Sequence, residues 1–139
     1  LIPSELFGTL VNLENIYLNN NEIEAIEEKA FHDMHSLLNI KLNNNKLRII
    51  KKDTFVNLPK INSIDLAFNE IFDISNDDFE NLPSLEWVRL RDNKLEPKDL
   101  EVFAKYYKRE TPKKPRRCGT VRLREKRAKT VNKFDEELE

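Results

Sequence analysis

Two histidines are the residues whose type and spacing come nearest to a metal site. His32 and His35 are three residues apart, with Asp33 between them. One helical turn would bring both imidazoles to the same side, and imidazole is a common zinc ligand. A zinc site needs three or four ligands, and no cysteine or further histidine lies nearby. We therefore expect ordinary surface residues here, with no metal and no other cofactor.

The groups needed for covalent or phosphate chemistry are also missing. Gly8 and Gly119 are the only glycines, so a glycine-rich phosphate-binding loop cannot be built. Cys118 is the only cysteine, which leaves no disulfide within the chain, and no histidine lies near it in the sequence to act as a base. The carboxylates are scattered among polar positions, where their ordinary role is solvation. The sequence predicts no catalytic residues and no enzyme.

Charge divides the chain into two regions. The 139 residues are enough for about one domain, and their net charge is −1. Residues 1–96 contain 10 Lys and Arg against 17 Asp and Glu, whereas residues 97–139 contain 14 basic and 8 acidic residues. No stretch of this sequence approaches the roughly 18 apolar residues of a membrane span. The acidic residues 1–96 and the basic residues 97–139 therefore indicate two parts of the chain with opposite electrostatic character.

A repeat of 24 residues runs through the acidic region. In each unit an apolar residue is followed by apolar residues three, five and ten positions later and by an asparagine eight positions later. The four units begin at Leu13, Leu37, Ile61 and Leu85. A phenylalanine column accompanies them, at Phe7, Phe31, Phe55 and Phe79. Because residues 1–12 fit only the second half of a unit, we expect a fragment that begins inside a repeat.

Each column has a physical reason. Apolar residues that alternate with polar ones predict a short strand with one buried face, and stacked units bury that face together. Where the chain turns inward, asparagine side chains can satisfy backbone groups that would cost about 1–3 kcal/mol each if unpaired. Phenylalanine fills the return segment with a large apolar side chain. We therefore interpret all these columns as core.

These columns resemble the L-x-x-L-x-L-x-x-N-x-L motif of leucine-rich-repeat proteins. The 24-residue form with a phenylalanine is typical of extracellular members of that family. The resemblance covers residues 1–96 and implies an α/β solenoid, a horseshoe arc with a short parallel β-sheet on its concave face. It divides this region into a partial repeat, 1–12, and the four repeats beginning at 13, 37, 61 and 85. It also implies a module for protein–protein recognition.

The candidate binding residues are those that the strands present outward, on the expected concave face. The face changes from amides in the first repeats to an aromatic and arginine cluster in the fourth, and such residues dominate binding hot spots. Trp87 has an equal alternative role, packing against the C-terminal segment. Phe68 is weaker evidence, because the family often has an aromatic residue before the asparagine. The predicted partner-binding residues are Tyr17, Asn19, Lys41, Asn43, Asp65, Phe68, Trp87, Arg89 and Arg91.

A helix is expected to follow the repeats, over residues 97–110. Pro97 and Asp99 suit a helix start. The apolar residues after them fall at helical spacing: Leu100, Phe103, Ala104 and Tyr107. Such a helix would cap the last repeat. Extracellular members of the family usually close this end with a cysteine-rich cap, which this sequence lacks.

Residues 111–139 form a basic tail that we expect to be poorly ordered. Nine Lys and Arg lie between Thr111 and Lys129. Three interpretations stay open: a nuclear-localisation signal or a patch for nucleic acid or another anionic polymer, a dibasic processing site at 124–127, or a solvated linker. The last residues, with Val131, Phe134 and Leu138, have the spacing of a short amphipathic helix.

Three hypotheses of function follow. The first is a ligand-recognition fragment of a secreted or cell-surface protein, which binds a protein through the concave face. The second is an intracellular or nuclear adaptor whose basic tail carries a localisation signal or contacts nucleic acid. The third is a purely structural segment whose binding is done by repeats elsewhere.

Overall fold

The computed structural model describes residues 1–74, 77, 79–101 and 103. One short strand from each full repeat contributes to a four-stranded parallel sheet, and two shorter strands on the return segments form a second parallel pair. A short helix follows. In chain order the elements are β1 (Asn15–Tyr17), β2 (Phe31–His32), β3 (Asn39–Lys41), β4 (Phe55–Val56), β5 (Ser63–Asp65), β6 (Trp87–Arg89) and α1 (Pro97–Glu101).

The strands stack in the register of the repeat. The larger sheet has the order β1-β3-β5-β6, and every pair is parallel with an offset of 24 residues. The central residues of its strands pair in one line and are buried: Ile16, Ile40, Ile64 and Val88. The smaller sheet has the same offset, with Phe31 opposite Phe55. The predicted 24-residue unit and its parallel sheet are therefore confirmed.

The apolar columns are buried more completely inside the stack than at its N-terminal end. Leu37, Ile61 and Leu85 are fully buried, whereas Leu13 in the same column is only partly buried. In the described part of the chain the strand β1 is at the edge of the sheet, and the partial repeat that covers its repeat, residues 1–12, contributes no strand to that sheet. Large apolar side chains are correspondingly exposed before it, at Leu1, Leu6, Leu10 and Val11.

The asparagine column forms the predicted hydrogen-bond ladder. The Nδ2 of Asn69 lies 3.0 Å from the carbonyl oxygen of Leu42 and 3.1 Å from that of Leu66, and its Oδ1 accepts a hydrogen bond of 3.0 Å from the amide of Leu47. One side chain thus joins two repeats. The same pattern recurs at Asn45 and Asn93. Asn21, which is exposed, reaches only carbonyls of its own turn.

The phenylalanine column is a continuous stack of rings that extends beyond the predicted repeats. Centroids of successive rings are 5.4, 5.5, 5.6 and 5.4 Å apart. The members are Phe7, Phe31, Phe55, Phe79 and Phe103. Helical spacing in the sequence predicts that Phe103 belongs to a capping helix, but this residue also lies 24 positions after Phe79 and packs edge-on against that ring. The chain therefore keeps its period in this column after α1.

Backbone conformation repeats along with the side chains. The nine residues with positive φ in the described part of the chain fall into three columns, each with a spacing of 24. They are Glu5, Lys29 and Asp53; Asp33 and Asn57; and Asn20, Asn44, Phe68 and Asp92. Asparagine and aspartate tolerate this left-handed region better than other residues with a side chain beyond the Cβ. The repeats therefore make their sharp turns largely without glycine.

The C-terminal element begins where the sequence predicts. The helix α1 starts at Pro97, and the amide of Glu96 donates to the Asp99 carboxylate, 3.0 Å away, so that this amide is satisfied at the helix start. Leu100 and Phe103 are fully buried, and the capping role of the segment 97–110 stays a prediction. The rest of the predicted helix to 110, apart from Phe103, and the basic tail 111–139 lie outside the described residues.

Candidate protein-binding surface

Three rows of side chains line the outer side of the larger sheet. Because successive residues of a strand point to opposite faces, the first and third residue of each strand lie opposite the buried central residue. A third row follows two positions after each strand. We call these twelve residues the sheet face: Asn15, Tyr17, Asn19, Asn39, Lys41, Asn43, Ser63, Asp65, Ala67, Trp87, Arg89 and Arg91.

The first row is a polar ladder that ends at an aromatic ring. Asn39 donates from Nδ2 to the Oδ1 of Asn15 at 2.8 Å, and Ser63 donates to the Oδ1 of Asn39 at 2.7 Å. These bonds hold the amides in one orientation across three repeats. Trp87 occupies the next place in the row and is half-buried.

The second row joins an aromatic ring to three charges. The Nζ of Lys41 lies 5.1 Å from the centre of the exposed Tyr17 ring, within cation–π range. Beyond it, the Nη1 of Arg89 donates to the Oδ2 of Asp65 at 3.2 Å. Asp65 is buried, and its Oδ1 accepts from the amide of Ala67 at 3.1 Å. Both oxygens of Asp65 are thus used within the chain, so this predicted partner-binding residue holds Arg89 in position.

A shallow depression lies where the second and third rows meet. Its volume is about 280 Å³. The residues lining it are Asn19, Lys41, Asn43, Asp65, Ala67, Phe68 and Arg89. Two atoms at this place are buried without a hydrogen-bond partner, the Nε of Arg89 and the Oδ1 of Asn43. Six of the nine predicted binding residues therefore meet here, together with Ala67.

A cluster of an aromatic ring and an arginine borders the depression. Arg91 lies with its guanidinium carbon 5.2 Å from the centre of the Phe68 ring, and its Nε donates to the Oδ2 of Asp92 at 3.0 Å. Phe68 keeps a left-handed backbone conformation, with φ of 56°, in a column where the other residues are asparagine or aspartate. A bulky residue there costs on the order of 1 kcal/mol of strain, and its ring is still 42% exposed.

The sheet face carries the opposite charge to the body that supports it. Its ionisable groups are three cations, Lys41, Arg89 and Arg91, and one acid, Asp65. Residues 1–96 as a whole have 17 acidic and 10 basic residues. The face is therefore a locally positive surface on an acidic solenoid.

The two histidines lie outside this face, on the return segments. His32 belongs to β2, where its Nδ1 is 2.9 Å from the Oδ2 of Asp33 and its Nε2 is 3.0 Å from the Oε2 of Glu5. The hydrogen bond with Asp33 raises the pKa of His32 above its ordinary value, burial opposes this, and Glu5 adds to it. His35 instead contacts the Asn57 amide. Among the described residues, no three His, Cys, Asp or Glu side chains are arranged to hold a metal ion.

Sequence reasoning missed two features of the surface. The first is the pair of Asp65 and Arg89, whose spacing of one repeat places them side by side in the sheet register. The second is the depression itself. Its shape depends on where Lys41 and Phe68 direct their side chains, and no sequence spacing carries that information.

Comparison with known proteins agrees with the repeat architecture. In the described part of the chain, no helix is long and apolar enough to cross a membrane. A search of curated proteins finds no relative that matches the chain. The family described as leucine rich repeat matches residues 2–47 and 39–95, which together are more than half of the chain. This family generally supplies modules for protein–protein interaction. With its parallel strands, stacked asparagines and a matching family profile, the chain belongs to the leucine-rich-repeat family.

Proposed function

We propose that this chain binds a protein partner through the sheet face. The observation that carries the proposal is the contrast within each repeat. The buried columns repeat nearly the same residue type, whereas the residues of the sheet face differ from one repeat to the next. A face required only for folding would not need an exposed tyrosine, a partly buried ion pair and a strained phenylalanine at its border.

The chemistry of the face supports a protein partner. Tyrosine, tryptophan and arginine contribute most of the binding energy in protein interfaces. Tyr17, Arg89 and Arg91 are already held by contacts with neighbours, so binding would immobilise little additional side-chain freedom. The depression is shallow and lies on an open sheet, which fits a side chain of a larger partner better than an enclosed small molecule.

We propose that the sheet face is the concave side of a horseshoe arc, and that the chain belongs to a secreted or cell-surface protein. The phenylalanine-containing 24-residue repeat supports this setting. A tagged parent protein found in the medium or at the surface of intact cells is the expected result, and a purely cytosolic protein would contradict it.

The basic residues of 111–129 support a second candidate, an intracellular or nuclear adaptor. In that case the tail would carry a localisation signal or contact nucleic acid. Nuclear accumulation of the tagged parent that is lost when Lys113 and Lys114 are replaced by glutamine would favour this candidate. Binding of the tail to an oligonucleotide would weaken steeply with added salt, because counterions are released from the phosphates.

Site-specific photocrosslinking tests the binding proposal. A photoreactive phenylalanine analogue is placed at Tyr17, on the sheet face, or at the exposed Lys60, outside it. Cells that produce the parent protein supply the partner. We expect a discrete crosslinked protein from position 17, displaced by an excess of unlabelled chain, and none from position 60. Equal crosslinking at the two positions would contradict the proposal.

A further inference from the structure

We propose that the depression on the sheet face receives one carboxylate side chain, a glutamate or aspartate of the partner protein, between Lys41 and Arg89. This inference rests on the proposed function and deepens it, because it names the chemistry that the partner must present. Some charged side chains of the sheet face pair with an opposite charge of the chain and others do not, and this difference supports the inference.

Lys41 is the cation of the sheet face that has no carboxylate partner among the described residues. It is exposed, and its contact is with the face of the Tyr17 ring. A ring leaves the ammonium with its full charge and with N–H groups free to donate. Asp65 is the sheet neighbour of Lys41, but it is engaged by Arg89 and by the amide of Ala67. The ammonium of Lys41 is thus held on the face with its charge uncompensated.

Arg89 has donors to spare on the other side of the depression. A guanidinium has five N–H groups, and Asp65 accepts from Nη1 alone. The Nε of Arg89 is buried and has no hydrogen-bond partner among the described residues, so the Nη groups are the donors within reach of a partner. A carboxylate of a partner can accept charge-assisted hydrogen bonds from the remaining Nη N–H groups of this partly exposed side chain.

The width and the net charge of the site indicate that it binds a single carboxylate. Lys41 and Arg89 lie two strands apart, which is roughly 10 Å between backbones. Asp65 lies between them with its charge balanced by Arg89. The three ionisable groups therefore leave one net positive charge, which matches one carboxylate and is too little for a polyanion. Phe68 lines the same depression, and its exposed ring offers apolar surface to the methylene groups of a glutamate or aspartate.

The surrounding charge makes the site selective. The supporting body of residues 1–96 has a net negative charge, so an acidic partner is repelled everywhere except near local cations. Electrostatic complementarity of this kind fixes the orientation of a partner more than it adds affinity. The basic residues of 111–129 are a competing site for acidic peptides, and the experiment must separate the two.

A double-mutant cycle with selected peptides tests the inference. A phage-displayed library of random peptides is selected against the full chain, and the peptides that bind are synthesised. Those that shift the NMR signals of Lys41 and Arg89 are kept. Each acidic residue of a kept peptide is then replaced in turn by the corresponding amide, glutamine for glutamate or asparagine for aspartate. The affinities of the acidic peptide and of its amide variant are measured for the wild type, for Lys41→Gln and for the control Lys46→Gln. Lys46 is also an exposed lysine, but it pairs with Glu22 outside the sheet face.

We expect one acidic residue of each kept peptide to be required. Replacing this acidic residue by the amide weakens the affinity for the wild type by about tenfold. The same replacement changes the affinity for Lys41→Gln very little, because the peptide carboxylate interacts with the Lys41 ammonium that this variant lacks. Lys46→Gln leaves the affinity unchanged within about twofold. Peptides on the sheet face that tolerate every acid-to-amide replacement would overturn the inference and leave the proposed function intact. Peptides that shift only tail signals would overturn both.

Discussion

The interior of the repeats and the sheet face obey different rules, although both are built from the same 24-residue unit. In the interior, a column keeps one residue type through the stack, as the phenylalanine and asparagine ladders do. On the sheet face, the row of Tyr17, Lys41, Asp65 and Arg89 changes type at every step. Stacked repeats require residues of the same type at equivalent buried positions. The outer face is free of that requirement, so its residues are available for recognition.

The largest expected effect comes from breaking an interior column. Phe55→Ala removes a buried ring that stacks on a ring above and a ring below, and should lower the free energy of unfolding by about 3–5 kcal/mol. Phe7→Ala is the matched control, because Phe7 is half-buried and stacks on one ring only. Urea unfolding followed by circular dichroism measures both. Equal losses of unfolding free energy would show that the contribution of a phenylalanine in this column does not depend on how deeply it is buried.

A smaller loss is expected in the asparagine column. Asn69→Ala leaves the amide of Leu47 without its partner and removes one of the two asparagine donors from the carbonyls of Leu42 and Leu66, which should cost about 1–3 kcal/mol. Asn21→Ala removes only contacts of an exposed amide with its own turn, and should cost less than about 1 kcal/mol. The same unfolding experiment compares the two. If Asn21→Ala lowered the free energy of unfolding as much as Asn69→Ala, the asparagine ladder would not stabilise the contact between neighbouring repeats.

On the sheet face, the ion pair is the one place where a substitution should affect stability. Arg89→Gln leaves the buried carboxylate of Asp65 with the Ala67 amide as its remaining donor, and should cost about 1–2 kcal/mol after allowance for the partial exposure of Arg89. Adding Asp65→Asn should recover part of this loss. A double-mutant cycle by urea unfolding measures the coupling, and purely additive losses would mean that the pair contributes nothing.

The smallest effect concerns pH and lies outside both regions. The carboxylates of Asp33 and Glu5 raise the pKa of His32 in the folded chain. Their contribution to stability is therefore complete below the ordinary pKa of about 6.5 and is lost as the pH rises through the raised value. The stability advantage of the wild type over His32→Gln should shrink between pH 5.5 and pH 8, roughly the range in which histidine titrates. His35→Gln is the control, since that ring contacts the Asn57 amide.

The sequence predicted the interior better than the surface for a physical reason. Leu37, Asn45 and Phe55 each belong to a column with a fixed spacing, and a fixed spacing is visible without coordinates. The two-residue strands β2 and β4 were missed because they are too short to show an alternating pattern. Phe103 was assigned to a helix because it also fits helical spacing. The depression could not be foreseen, since it depends on side-chain directions that differ in every repeat.

The most direct test of the account is to measure stability and binding together in Tyr17→Ala. The Tyr17 ring is 61% exposed, and within the sheet face it contacts the Lys41 ammonium. For the partner captured by crosslinking, we predict about a tenfold loss of affinity, with a change of less than about 0.5 kcal/mol in the free energy of unfolding. Unchanged affinity, or a loss of stability as large as the loss of binding, would contradict the division between interior and sheet face.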